Sequence, residues 1–297
     1  MSINLRHTSL IIVASLLLIG TANAQNAEPA STASRPQRGL IFSMNPDGKF
    51  AKRLPKSFEM PRDAAGFLLL REYGAVFVAS KSVVAPFKVA FTDEADVLAF
   101  QSTMKVSAET IGGHRLELQA EAMKKLKSAI SDARKAGLSI SPRGGDSARR
   151  GFQQTVSLWA SRVNPGLVYW TGKGKISRAE ADRIRSLSPS AQVPEILRLE
   201  QQKIFFAKDL SKSIIYSVAP PGTSQHVSML ALDVKEFDEA RVREILAKHG
   251  WFQTVVSDLP HFTFLGHDED NLPDRGLKLT INSGRRFWTP DISSDTR

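Results

Sequence analysis

The chain has no cysteine. Disulfides and thiolate metal sites are therefore excluded, and any zinc must be held by imidazole and carboxylate. Histidine is scarce as well: the 297 residues include six, at positions 7, 114, 226, 249, 261 and 267. The pattern G-x-S-x-G is missing, which removes the usual nucleophile elbow of the α/β-hydrolases, and no glycine-rich phosphate loop follows a strand pattern. Ser102-x-x-Lys105 has the spacing of a penicillin-binding serine site, but no K-T-G or S-x-N partner in suitable context follows it. The formal net charge is +10. A basic surface attracts polyanions, yet Lys and Arg are spread along the chain without an arginine-rich block or nucleic-acid motif, so no nucleic-acid partner is expected.

One long apolar run stands out, Leu10 to Ile19 (LIIVASLLLI). It is shorter than the ~20 residues that span a bilayer. Arg6 and His7 precede it, and Ala22-Asn23-Ala24 follows with the small-x-small pattern of a signal-peptidase site. Residues 1–24 are thus expected to be a signal peptide, leaving no stable membrane span after cleavage and a periplasmic or secreted protein. Residues 25–62 read as a flexible linker and N-terminal extension, 63–290 as the folded domain and 291–297 as a tail.

Within the domain, Gly66–Ala79 (GFLLLREYGAVFVA) reads as one or two strands around Tyr73-Gly74, and Phe87–Phe91 as another. Residues 117–136 place Leu118, Ala122, Leu126, Ala129, Ile130 and Ala133 on one helical face, with Gly137 as the stop. Leu138–Ser141 predicts a short strand, and Asp146 or Ser147 a cap for the next helix. Ser177-x-x-Glu180 is a capping box, and Pro194 suits the first turn of a helix running to about Phe206. Ile214–Val218, Leu230–Val234 and His261–Leu265 read as strands, with a helix between the last two, capped by Asp238 and stopped by Gly250. Helices and strands mix without a β-α-β rhythm, so the expected class is α+β with an antiparallel sheet and flanking helices.

Three candidate metal ligands lie within 36 positions: His226, Asp233 and His261. In the LALDV strand, Asp233 shares a face with the small Ala231, while Leu230 and Leu232 point the other way. His261 opens the alternating HFTFL strand. If these strands are neighbours, Asp233 and His261 converge, and His226, just past the Pro220-Pro221-Gly222 turn, completes two imidazoles and a carboxylate with a coordination place left open. That is a recognised catalytic zinc set. Asp258, three residues before His261, can reach a metal-activated water without being a ligand. His249 ends a helix, where a charged imidazole is favoured, and reads as structural. His114 reads as a loop residue and His267 as part of an acidic loop.

Ser224-x-His226-x-x-x-x-Ala231-x-Asp233 resembles the S-x-H-x-x-G-x-A-x-D signature of the zinc D-alanyl-D-alanine carboxypeptidases, the VanY-like metallopeptidase family. The later Asp258-x-x-His261 is similar to that family's E-x-x-H, and the resemblance covers roughly residues 65–270. It implies a hedgehog/DD-peptidase-like fold, a Zn2+ cofactor on His226, Asp233 and His261, Asp258 as general base, and peptidoglycan peptides as substrate; the enzyme is expected to be a monomer. Ser141-Pro142-Arg143 resembles the family's strand-end arginine, which implies that Arg143 polarises the scissile carbonyl. Gln153 on the following helix and Ser224 are implied to contact substrate. Two positions depart from the signature: Met229 stands for glycine and Asp258 for glutamate. The aspartate resembles the L-alanyl-D-glutamate endopeptidase branch, so an internal wall-peptide bond is an alternative target. A non-catalytic wall-binding module and an amidase cutting the sugar–peptide link are further alternatives.

Overall fold

The computed structural model of the chain describes residues 44–292. The expected signal peptide, the linker up to residue 43 and tail residues 293–297 lie outside them. Helix α1 (Lys49–Arg53) comes first. Its Phe50 is buried in the largest apolar cluster, so the folded body begins ahead of residue 63. Helix α2 (Ala64–Tyr73) and a 3-10 turn over Gly74–Val78 replace the strands expected there. Asp63 caps α2 by accepting a hydrogen bond from Gly66 N at 2.7 Å. The run is apolar without alternation because it is buried on several sides: Leu70 and Ala75–Val78 enter one core, Leu69 and Tyr73 a second. Phe87–Phe91 forms no strand either; its one sheet-like contact is an isolated bridge from Lys88 to Glu59.

Helix α3 (Glu94–Gln101) leads to a hairpin of β1 (Val106–Ile111) and β2 (His114–Gln119). Gly112 and Gly113 join the strands with positive φ, as a two-residue hairpin turn requires. Leu118 therefore belongs to a strand, and helix α4 (Ala120–Lys135) starts after it, with Ala122, Met123, Leu126, Ala129, Ile130 and Ala133 buried at helical spacing. Helices α5 (Phe152–Gly172), α6 (Arg178–Ser186) and α7 (Pro189–Gln201) form the second core. Along α5, Trp159, Val163 and Leu167 make its buried stripe. Ser177 caps α6 through Glu180 N as expected. Pro189 rather than Pro194 occupies the first turn of α7, and Gly151 rather than Asp146 or Ser147 caps α5. Ile214–Tyr216 is a 3-10 turn, not a strand.

The remaining elements are β3 (Ala231–Asp233), α8 (Ala240–Lys248, capped by Glu239 rather than Asp238), β4 (Trp251–Phe252), β5 (His261–Phe264) and the hairpin β6 (Leu277–Asn282) and β7 (Arg285–Pro290). The central sheet has the order β3-β5-β4 and is antiparallel throughout. Segment 141–147 runs along the free edge of β3: Lys235 N bonds Ser141 O, Arg143 N bonds Asp233 O, and Asp233 N bonds Ser147 O. The class is α+β, with small antiparallel sheets and helices around them. Fully buried leucines such as Leu70, Leu116, Leu118 and Leu126 anchor the largest core, each contributing about 1.5–3 kcal/mol by burial. A third, smaller cluster packs Phe91, Phe100 and Phe152 around Val227 and Met229. The segment from Val227 to Val234 thus passes from the third cluster into the first, while Val255 lies in the second. Among the described residues, no helix is long and apolar enough to cross a membrane.

Candidate metal centre

Asp233 and His261 sit directly opposite each other in the β3–β5 register. At that spacing side chains on one face meet. His226 arrives from the 3-10 turn Gln225–Ser228 that leads into β3. The turn ahead of it demands glycine: Gly222 has φ +71°, and a Cβ there would lie 1.9 Å from Phe91 O. Met229 ends the 3-10 turn in the left-handed region, φ 54°, which costs a non-glycine residue roughly 1–2 kcal/mol. Its side chain is buried against the aromatic rings of the third cluster, which offsets that cost.

Three atoms converge. His226 Nε2 lies 3.2 Å from Asp233 Oδ1, His261 Nδ1 lies 3.4 Å from the same oxygen, and the two ring nitrogens are 3.1 Å apart. Both imidazole protons are committed elsewhere. His226 Nδ1 donates to Ala148 O at 2.7 Å. His261 Nε2 donates to Gln225 Oε1 at 2.9 Å, and that amide is oriented by its own Nε2 donating to Tyr73 O at 2.7 Å. Both tautomers are set by acceptors that offer no alternative. His226 Nε2 and His261 Nδ1 therefore face each other as bare lone pairs, with a carboxylate oxygen beside them.

Asp233 Oδ1 is buried and accepts no hydrogen bond, whereas Asp233 Oδ2 takes one from Arg150 at 2.9 Å. Two converging imidazole lone pairs and an orphaned carboxylate oxygen are electrostatically costly without a cation. The spacing also fits one: tetrahedral bonds of 2.0–2.1 Å to nitrogen and oxygen put ligand atoms about 3.3–3.4 Å apart. Burial pushes the His226 imidazole below its ordinary value, with Arg150 acting in the same direction and Asp233 against it. The ring is held neutral, the form that ligates a metal. Among the described residues this is the one group of three or more His, Asp or Glu side chains close enough to share an ion.

His226 and His261 line a cleft of about 200 Å3, with Asp233 behind them and outside its lining. Asp258 and Ser224 line it, Asp258 exposed and Ser224 buried. A turn places Asp258 beside His261, whose N–H bonds Asp258 O at 3.1 Å. The arginine in the cleft is Arg150, not Arg143. Arg143 contributes its backbone N–H to β3, but its side chain is exposed and lies outside the cleft lining. The chain turns through Gly144-Gly145 after Arg143, and the Ser147 hydroxyl closes that turn by accepting from Gly144 N at 2.8 Å, so the inward-facing arginine comes seven residues later. Gln153 is exposed on the first turn of α5 and outside the lining too; its N–H bonds Glu94. The sequence reading missed Arg150, Gln225, Tyr73 and Arg162. A pair of arginines just before a helix, and a glutamine adjacent to a candidate ligand, were the available signals.

The other histidines stand apart. His249 ends α8 and pairs with Asp132 at 2.9 Å, as expected of a structural residue. His267 donates to Val78 O at 3.2 Å. The Ser102 hydroxyl donates to Ala99 O at the end of α3. No protein-family model, curated protein or solved structure matches the chain.

Proposed function

We propose that the chain is an exported zinc-dependent peptidase that cleaves stem peptides of peptidoglycan, acting as a monomer with D-alanyl-D-alanine carboxypeptidase action as the leading assignment. The observation that carries this reading is the set of three proton-free donor atoms, 3.1–3.4 Å apart, two of them on histidines that line a cleft also lined by the Asp258 carboxylate. The α+β layout around the β3–β5 pair is compatible with a DD-peptidase-like fold.

His226, Asp233 and His261 would hold the ion. Zinc bound there supplies a Lewis acid that polarises a carbonyl and lowers the pKa of a water to about 7. The chain's own residues do the rest. Asp258, exposed on the cleft wall, takes the proton of the attacking water and delivers it to the leaving amine. Arg150, one wall of the same cleft, fixes Asp233 and places a cation near the developing oxyanion, the role assigned by resemblance to Arg143. Gln225 keeps the proton of His261 on the far side of the ring.

The test is mass spectrometry of defined muropeptides incubated with the mature zinc-loaded chain, alongside its zinc content. Loss of one alanine identifies carboxypeptidase action. A split between the first and second stem residues identifies endopeptidase action, which the aspartate at position 258 favours by its resemblance to that branch. Intact peptides with full zinc occupancy would sink the peptidase reading. Asp258→Ala should keep its zinc and lose about 10²–10⁴-fold in turnover; undiminished turnover would remove Asp258 from the base role.

A further inference from the structure

Two arginines line the cleft, and their circumstances differ. The charge of Arg150 is met by Asp233 at 2.9 Å. Arg162, on α5 one turn beyond the cleft-lining Leu158, is half-buried and has no acid partner among the described residues. It is nevertheless fixed: its Nε donates to Ser217 Oγ at 3.0 Å and its Nη1 to Ser161 Oγ at 2.9 Å. The Ser217 hydroxyl also accepts from Lys208 N at 3.2 Å, which pins that wall. A half-desolvated guanidinium held by two neutral hydroxyls retains unmet charge and free donors. The planar fork matches a carboxylate in two parallel hydrogen bonds. The same cleft is lined by the apolar Leu158, Ile215, Val218, Ala219 and Val255, with the larger Tyr73 and Tyr216 among them.

We infer that Arg162 is a specificity-determining residue that binds a carboxylate of the peptide ligand. This rests on the peptidase reading of the same cleft. Arg162 touches neither the three converging atoms nor Asp258, so it selects substrate without entering the chemistry. The carboxylate has two possible sources on a stem peptide, the chain terminus and a free acid along the stem.

The experiment uses three synthetic pentapeptide stems ending in D-alanyl-D-alanine: one with all acids free, one amidated at the C-terminus and one amidated at the glutamate α-carboxyl. Hydrolysis and equilibrium binding are measured with the zinc-loaded full chain, as wild type, Arg162→Gln and Arg162→Lys, after circular dichroism confirms that each folds. For wild type, amidation of one of the two acids should lower kcat/KM about 10- to 100-fold, the range of a charged hydrogen-bonded contact. Arg162→Gln should show that loss on the free-acid peptide and no further loss on the matching amide, with the change in KM and kcat nearly kept. Arg162→Lys should recover part of it. Which amide matters identifies the source of the carboxylate. If wild type cleaves all three peptides equally, or if Arg162→Gln loses rate equally on all three, the inference is overturned while the peptidase reading stands. If nothing is cleaved but free-acid binding is still weakened by Arg162→Gln, the peptidase reading fails and the carboxylate site survives. Binding indifferent to both amidation and the variant would overturn the inference even without cleavage.

Discussion

Two histidine–carboxylate contacts in this molecule look alike by distance and differ in kind. At the end of α8, His249 Nε2 lies 2.9 Å from an oxygen of the half-exposed Asp132, an ordinary contact in which an N–H can point at the acid. On the central sheet, His226 and His261 approach Asp233 Oδ1 at 3.2 and 3.4 Å, but both ring protons are held elsewhere, by Ala148 O and by Gln225 Oε1. The first contact is complete within the chain. The second leaves the two ring lone pairs and Asp233 Oδ1 facing one another with no proton between them, although Arg150 meets the other carboxylate oxygen. Proximity of a histidine to an acid therefore says little; the direction of the ring protons separates a hydrogen-bonded surface pair from a group that could hold a metal ion.

The comparison can be broken most severely at Asp233. Asp233→Ala removes one donor atom and strands Arg150, so zinc content measured by atomic absorption should fall to background and turnover with it. Retention of one zinc per chain would refute the three-ligand assignment. A milder blow falls on Gln225, which touches no metal. Gln225→Leu frees the His261 ring to change tautomer and should weaken zinc about 10- to 100-fold in a competitive chelator titration, the usual effect of losing a ligand's hydrogen-bond partner. Unchanged affinity would mean that the ring is oriented by packing alone.

Acidity offers a third handle. Burial lowers the His226 pKa below the ~6.5 of an unfolded chain. Between those values the unfolded state binds the extra proton, so stability rises with pH in that window. The metal-free chain should accordingly keep its urea midpoint above about pH 7 and lose part of it as pH falls below ~6.5. His226→Gln should flatten that portion of the profile, and an unaltered slope in the variant would assign the dependence to other groups. The smallest effect belongs to His249. His249→Ala should leave zinc content and turnover unchanged and lower the thermal midpoint only slightly; loss of zinc in this variant would erase the distinction between the two contacts.

Much of the centre was legible because its two strands announce themselves. LALDV and HFTFL alternate apolar and polar or small residues, so the side of Asp233 and of His261 could be read from a period of two, and the register confirms that they face each other. Gly66–Ala79 lacks such alternation. Its residues are buried on more than one side, and an apolar run of that kind is shared by buried helices and strands; Asp63, which caps α2, was the clue that favoured helix. The place of Arg143 outside the cleft lining has a different cause. Arg143 does lie beside β3, and its backbone bonds Asp233 O, but adjacency of backbone does not fix the direction of a side chain. The turn through Gly144-Gly145 carries the inward position on to Arg150. Met229 stands where the resembled signature has glycine, and its positive φ explains why glycine suits the position; the aromatic cluster that retains methionine there comes from distant parts of the chain and leaves no local sign.

The peptide carrying His226 is tied down independently of any ion. The side-chain amide of Gln101 donates to Val227 O, that of Gln119 donates to Ser228 O, and Gln119 N donates to Met229 O. These struts come from α3 and from the junction of β2 with α4, outside the centre itself. Stripping the metal with a chelator should thus leave an intact, protease-resistant scaffold that reloads quickly, since no chain segment has to be rebuilt around the returning ion.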